Sequence, residues 1–440
     1  MKRFIYKNYG WWLVTGSILM NIYLSASFFI GLQVFFLPMI KEFGWSRSMT
    51  SIGFSLRQLE TGFLAPFVGL LVDKIGPRKI IIASVIIVSA GMMLTSQVNS
   101  IGFFYLAIAI GSIGASGASH GVTWSTVVAS WFEKYRGRAL GIALMGPVFG
   151  APLIILVTLL EETVGWRMAT FLLGSGFLLF GIPIALSVIG KPEQIGMLPD
   201  GEFIETKFDN KTSIALSTSP VFLPKTNNIE PTQEIKNLNN KSKGITLKQA
   251  LRMKLFWILF TVFAVQGIAV SSLLAHQMPL FEHRGFTSTE AATTVTFLFV
   301  FSGFGRITAG FILDYAPWKL VLALALLGQA IAFLVLIIAN SYFLSIIFAA
   351  IQGISFGAII ASRPVLVSKL FGMKSFASIQ GSFQAATVGS GLIGPILFGS
   401  IFDIYDSYNI ASLIISIMTF ISIPLPFLTD KKINESLSIS

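Results

Sequence analysis

Apolar runs of about twenty residues recur along almost the whole chain, and a helix needs that length to cross a hydrocarbon core of ~30 Å at ~1.5 Å per residue. Twelve such runs are legible, at residues 12–38, 50–72, 80–98, 101–131, 138–160, 167–189, 255–279, 292–314, 318–339, 342–369, 376–402 and 408–429. With 54% hydrophobic residues, 12% charged residues and a mean hydropathy of +0.78, a soluble globule is excluded. The expected fold class is an all-α integral membrane protein with the lipid bilayer as its main partner. The first run far exceeds a signal-peptide core and carries no small-residue cleavage site, so it is expected to remain in place. The chain has no cysteine, which rules out disulfides, thiolate metal sites and cysteine nucleophiles.

A net charge of +11 is compatible with a polyanionic partner, but the positions of the basic residues point elsewhere. Lys2, Arg3, Lys7, Lys74, Arg78, Lys79, Lys134, Arg136, Arg138 and the lysine-rich middle segment fall on one side of the membrane. The other side holds Lys41, Arg47, Arg167 and Arg284. The positive-inside rule then predicts cytoplasmic termini and a multi-pass protein of the plasma membrane, the cytoplasmic membrane in a prokaryote, with no nucleic-acid partner.

Hydrophobicity collapses between Ile189 and Leu255 into stretches such as "KTNNIEPTQEIKNLNNKSKG". This composition suits a linker, and its end, "ITLKQALRMKLFW", suits a short amphipathic helix on the membrane surface. The expected organisation is a six-helix half over 1–189, a cytoplasmic linker over 190–254 and a second six-helix half over 255–440. The halves echo each other. Gly69 and Asp73 in "GLLVDKIGPRK" match Gly310 and Asp314 in "GFILDYAPWK" at an offset of 241, while Phe132 and Gly141 match Phe371 and Gly381 at offsets of 239 and 240. Two related halves place a substrate between them, near the middle of the membrane.

"GLLVDKIGPRK" resembles the G-x-L-a-D-r-x-G-r-k signature of the major facilitator superfamily, which implies its twelve-helix, two-half fold. "WFEKYRGRALGIALMG", "GRITAGFILD", "KPEQIGMLPDG" and "HQMPLFEHRGFTSTEAA" are similar to stretches of its oxalate/formate antiporter and monocarboxylate porter branch. The resemblance runs from about Tyr9 to Leu428, skipping the linker. It implies gating roles on the cytoplasmic side for Asp73, Arg78, Asp314 and Arg138. Charges that only fix topology are the alternative.

Charged residues at depth are costly and mark function. Arg306 lies eight residues before Asp314, and so ~12 Å into the membrane, with Ser302, Gly303 and Gly310 on its helix face. Arg363 lies eight residues before Phe371 at the same depth, shares a face with Gln352, and precedes Pro364, which weakens the local backbone ladder. Ser112, Ser116, His120 and Trp124 form a stripe at spacings of four. His120 either bonds a carbonyl or faces the cavity, and Trp124 either packs or touches substrate. Arg57 and Glu60 either pair with each other or take part in transport. Glu60 is the only carboxylate inside a span away from its ends, which makes it the proton-carrying candidate.

Two midplane arginines with one carboxylate call for an anion, and the guanidinium fork matches a carboxylate bidentately. Arg306, Arg363, His120, Trp124, Gln352 and Ser302 are therefore the expected binding residues for a small mono- or dicarboxylate, without a cofactor or metal. Protons or a counter-anion are the expected coupling partners, and a single chain would suffice. The porter pattern F-x-D-x-x-x-R-P places its arginine on Arg306, but Ser302 stands at the aspartate and Ile307 at the proline. The first span, reading "KNYGWW", lacks the porters' acidic lead-in. The antiporters' lysine in the eleventh span is absent, and Arg363 on the neighbouring span is the expected substitute. An exporter of amphipathic compounds and a transporter-like nutrient sensor are the alternatives. Three scattered histidines and one buried carboxylate give no catalytic constellation.

Overall fold

The computed structural model describes residues 8–45, 47–201 and 244–428, leaving out some side chains within them, those of Arg57, Gln58, Glu60 and His120 included. Among the described residues, ten helical stretches are long and apolar enough to cross a membrane. They are α1 (Tyr9–Phe43), α3 (Pro77–Ser96), α4 (Ile101–Trp131), a 51-residue run Arg136–Leu186, α7 (Lys254–His283), α8 (Thr289–Tyr315), α9 (Trp318–Ile338), α10 (Tyr342–Phe371), α11 (Phe376–Tyr405) and α12 (Asn409–Leu428). The 51-residue run is over twice what one crossing needs, and Gly165 breaks it at φ 76° and ψ 159° into α5 (136–164) and α6 (166–186). The helix α2, Arg47–Ile75, completes the twelve and carries the charges that lower its hydropathy.

Local chemistry sets the helix boundaries. Gly76 at φ 88° and Pro77 at the first helical position turn the chain from α2 into α3. Ser100 and Ser341 cap α4 and α10, and Thr287 with Glu290 forms a capping box before α8. The side chains of Ser112, Thr170, Ser272 and Ser362 donate to the carbonyl four residues earlier, so each of these buried hydroxyls is satisfied by its own helix. Large apolar groups cover the outside, with Phe63 at 70%, Phe343 at 72% and Ile404 at 72% exposure, so many of the phenylalanines face lipid.

Several spans are irregular along their length: α5 holds a 3-10 turn, Ala151–Leu153, and α6 a π turn, Phe177–Gly181. α1 passes through a π turn, Ser25–Phe29, and a 3-10 turn, Gly31–Phe35, and α4 through a π turn, His120–Trp124. Such breaks free carbonyls, which membrane proteins tolerate only where the backbone faces protein or a cavity. Trp124, at 1% exposure, is packed against Gly16 of α1.

The linker composition read in the sequence falls mostly on residues outside the described ones. Of its end, Leu247–Ala250 is helical, with a Thr246/Gln249 capping box. Gly244 bridges to Gly372, and the Ile245 N–H donates to the Phe371 carbonyl.

At the loop end away from Asp73 and Asp314, an arginine ties each half together. Arg167 donates to the Ser96 and Val98 carbonyls after α3 and pairs with Glu42 at 2.7 Å. Arg284 donates to the Leu336 and Ala339 carbonyls at the end of α9 and to Asn409 Oδ1 at 2.8 Å. Losing these charge-assisted bonds costs about 1.5–3 kcal/mol. Arg284→Ala is therefore expected to lower the thermal midpoint of the purified protein, and an unchanged midpoint would remove this tie from the account.

Candidate functional site

The halves meet most closely at the loop end that carries the two aspartates, here called the aspartate end. The Asp314 carboxylate, at the end of α8, accepts from the backbone N–H of Gly137 at 2.7 Å and of Arg138 at 3.2 Å, and the Arg138 guanidinium lies 3.4 Å away. The Asp73 carboxylate, at the end of α2, accepts from the backbone N–H of Ala377 at 3.3 Å and of Ser378 at 2.9 Å, and from the Ser378 hydroxyl. Each aspartate thus takes the free N–H groups at the start of a helix in the opposite half, where a negative charge is favoured. Gly137 and Ala377, like Arg138 and Ser378, are 240 apart, so the offset read in the sequence reappears as a two-fold pair of latches.

Glycines let the helices approach behind each latch. A Cβ on Gly310 would stand 2.5 Å from the Gly137 carbonyl oxygen, and one on Gly69 2.3 Å from that of Ala377. Deeper in, Gly141 faces the Arg306 carbonyl oxygen at 2.6 Å and Gly381 that of Ala65 at 2.3 Å. Gly303 against Met145 and Gly62 against Val388 lie near the midpoints of α8 and α2. These close approaches therefore occupy the half of each seam nearest the aspartate end.

At that depth the Arg306 side chain, at 5% exposure, crosses the α5/α8 seam and donates from Nη1 to the Leu144 carbonyl. That carbonyl belongs to the residue that ends the helix Arg136–Ala143, ahead of a turn into Gly146. Arg306 Nε is buried without a hydrogen-bond partner. Arg363, at 7% exposure, donates from Nη1 to Thr387 Oγ1 of α11 at 3.4 Å, and its Nε is likewise buried and unpartnered. Among the described residues neither arginine pairs with a carboxylate. The two carrying helices pack through glycines, a Cβ on Gly357 falling 2.0 Å from the Ser302 carbonyl oxygen.

More unpartnered polar atoms lie on the neighbouring helices. Ser302 Oγ and Gln352 Oε1 are buried in the second half, and Ser116 Oγ, Thr123 Oγ1 and Trp124 Nε1 in the first. Buried polar groups are nearly always bonded, and each exception costs ~1–3 kcal/mol, which makes these atoms candidates for contact with a polar ligand.

Of the expected residues, Ser302, Arg306, Gln352 and Arg363 lie on packed helices, and Trp124 lies on α4 against Gly16 of α1. The side chains of His120 and Glu60 lie outside the described residues. Asp73, Asp314 and Arg138 join the latches. Arg78 does not: it is exposed beside Gln194 and Gly190 of its own half. Sequence reasoning missed three residues. Gln380 of α11 donates to the Gly121 carbonyl freed by the α4 π turn, at 3.0 Å, and keeps its own Oε1 buried without a partner. Gln384, one turn on, likewise keeps its Oε1 buried without a partner beside Gly121. Only the search for a second cation drew attention to the eleventh span, and amides do not answer it. His276 sits inside α7, its ring nitrogens 3.0 Å from the Pro395 carbonyl and 3.4 Å from the Tyr408 hydroxyl.

Twelve spans in two halves, joined across glycine seams around a polar interior, define a multi-pass membrane transporter. The family model of the Major Facilitator Superfamily matches residues 19–320 and 277–439, and the chain belongs to that superfamily. It is 22% identical to monocarboxylate transporter 14 of Mus musculus, covering 94% of this chain and 89% of that one. It is 25% identical to monocarboxylate transporter 7 of Homo sapiens, over 91% of this chain and 82% of that one, and 25% identical to human monocarboxylate transporter 2, over 91% and 81%.

Proposed function

We propose that this transporter moves a small organic anion, a mono- or dicarboxylate, by alternating access, and that it is not an enzyme. The observation that carries the reading is the pair of buried guanidinium groups, Arg306 and Arg363, whose described partners are a carbonyl and a hydroxyl and whose Nε edges have none. Two cations at mid-depth are costly without a counter-charge, and a carboxylate supplies one with matching geometry. The relatives' printed names, which are those of monocarboxylate transporters, support the same substrate class.

In this reading the aspartate end faces the cytoplasm, in keeping with the basic loops. The latches close that side. Arg306 couples binding to movement, because the guanidinium that receives the anion also bonds the other half through Leu144. Rocking about the site would break that bond along with the Asp73 and Asp314 latches. Glu60 remains the proposed proton carrier, since Ser302 cannot titrate where the porter pattern has aspartate. Both halves of the site come from one chain, so a monomer suffices.

The test is counterflow of labelled mono- and dicarboxylates in liposomes holding the purified protein, with and without a pH gradient. Exchange of at least one carboxylate above protein-free liposomes is expected. Exchange of neutral amphipathic compounds alone would overturn the reading.

A further inference from the structure

The segment after α6, "KPEQIGMLPDG", folds back onto the turn between α4 and α5. Met197, at 1% exposure, anchors it in the core, and Asp200 follows in the left-handed region at φ 61° and ψ 14°, which aspartate tolerates better than most residues. The Asp200 carboxylate accepts from three consecutive backbone N–H groups, of Glu133 at 3.0 Å, Lys134 at 2.8 Å and Tyr135 at 3.3 Å. Past Arg136, the N–H groups of Gly137 and Arg138 are those taken by Asp314. Arg136, between the two sets, turns back to the carbonyls of Ala129 and Phe132. One turn of backbone is therefore shared between a carboxylate of its own half and one of the other.

We propose that Asp200 is a positioning residue for the gate. It fixes the turn over 133–135 so that the start of α5 presents Gly137 and Arg138 to Asp314, and it acts on closure only through that latch. The matching turn of the second half is held by backbone instead, through Gly244 with Gly372 and the Ile245 N–H on the Phe371 carbonyl. The chain segments on either side of residues 202–243 thus each secure the turn before a latched helix. The inference rests on the gating role proposed for Asp314.

The lack of cysteine allows a clean test in the full chain. Val72, at 2% exposure, packs with Ala377 of the other half in the α2/α11 seam, so a Val72→Cys reporter is exposed by separation of the halves and not by local fraying at α5. Asp314→Asn is expected to raise the maleimide labelling rate about tenfold and Asp200→Ala about threefold, as loss and weakening of one charge-assisted latch in a two-state equilibrium. The double variant is expected to label no faster than Asp314→Asn alone. Asp200→Asn, which keeps one acceptor oxygen, should give a smaller rise and replaces Asp200→Ala if that variant does not fold. An unchanged rate in both Asp200 variants beside a raised one in Asp314→Asn would overturn the role of Asp200 alone, as would multiplying effects in the double variant. An unchanged rate in Asp314→Asn would overturn the gating role itself.

Discussion

Arg306→Lys is expected to weaken the apparent affinity for the transported anion about 30- to 150-fold, the factor that corresponds to ~2–3 kcal/mol for a lost charge-assisted bidentate contact. Arg306→Ala is expected to leave no saturable uptake. Lysine keeps the charge but not the planar fork, and a single ammonium cannot hold the Leu144 carbonyl and a carboxylate in the same plane. Alanine also leaves the Leu144 carbonyl without its partner in the seam. Concentration-dependent uptake or counterflow in liposomes separates these outcomes. Equal half-saturation in Arg306→Lys and the parent would take the anion away from this residue.

The second large effect belongs to Gly310. A methyl group there meets the Gly137 carbonyl oxygen at 2.5 Å and the Gly141 Cα at 3.1 Å, both backbone atoms that cannot rotate away. Overpacking typically costs 1–3 kcal/mol, so Gly310→Ala is expected to shift the balance away from the closed aspartate end by a factor of about 5 to 150. Gly310→Leu should prevent closure and stop transport. The clash exists only when the halves touch, so folding of each half is spared. The Val72→Cys reporter should label faster in Gly310→Leu, with expression close to that of the parent. Loss of the protein from the membrane, in place of faster labelling, would show that Gly310 serves folding and not the conformational balance.

Much of this site was legible because charge is informative at depth. Counting residues from Asp314 and Phe371 gave Arg306 and Arg363 one common depth on their helices, and both side chains are buried. The offsets of 239 to 241 between matching residues likewise anticipated the paired seams. The partners of those charges were not legible. The Leu144 carbonyl is available because α5 breaks after Ala143, and nothing in "GIALMG" requires a break there. Gln380 and Gln384 escaped notice since an amide carries no desolvation signal comparable to an arginine, and their importance depends on the α4 π turn opposite. Asp200 reads as a loop residue in sequence. Its contacts arise from a fold-back held by Met197, and no local pattern encodes that.

The two latches differ at nearly every side chain. Gly137 and Arg138 stand in one where Ala377 and Ser378 stand in the other, yet two bonds to each aspartate are the same because their donors are main-chain N–H groups. Donor positions of this kind are free to drift in identity so long as a helix begins there, whereas no other residue reaches across with two oxygens from the same place. The aspartates are thus what two diverging halves must keep, and a short signature in a loop outlasts the likeness of the helices around it.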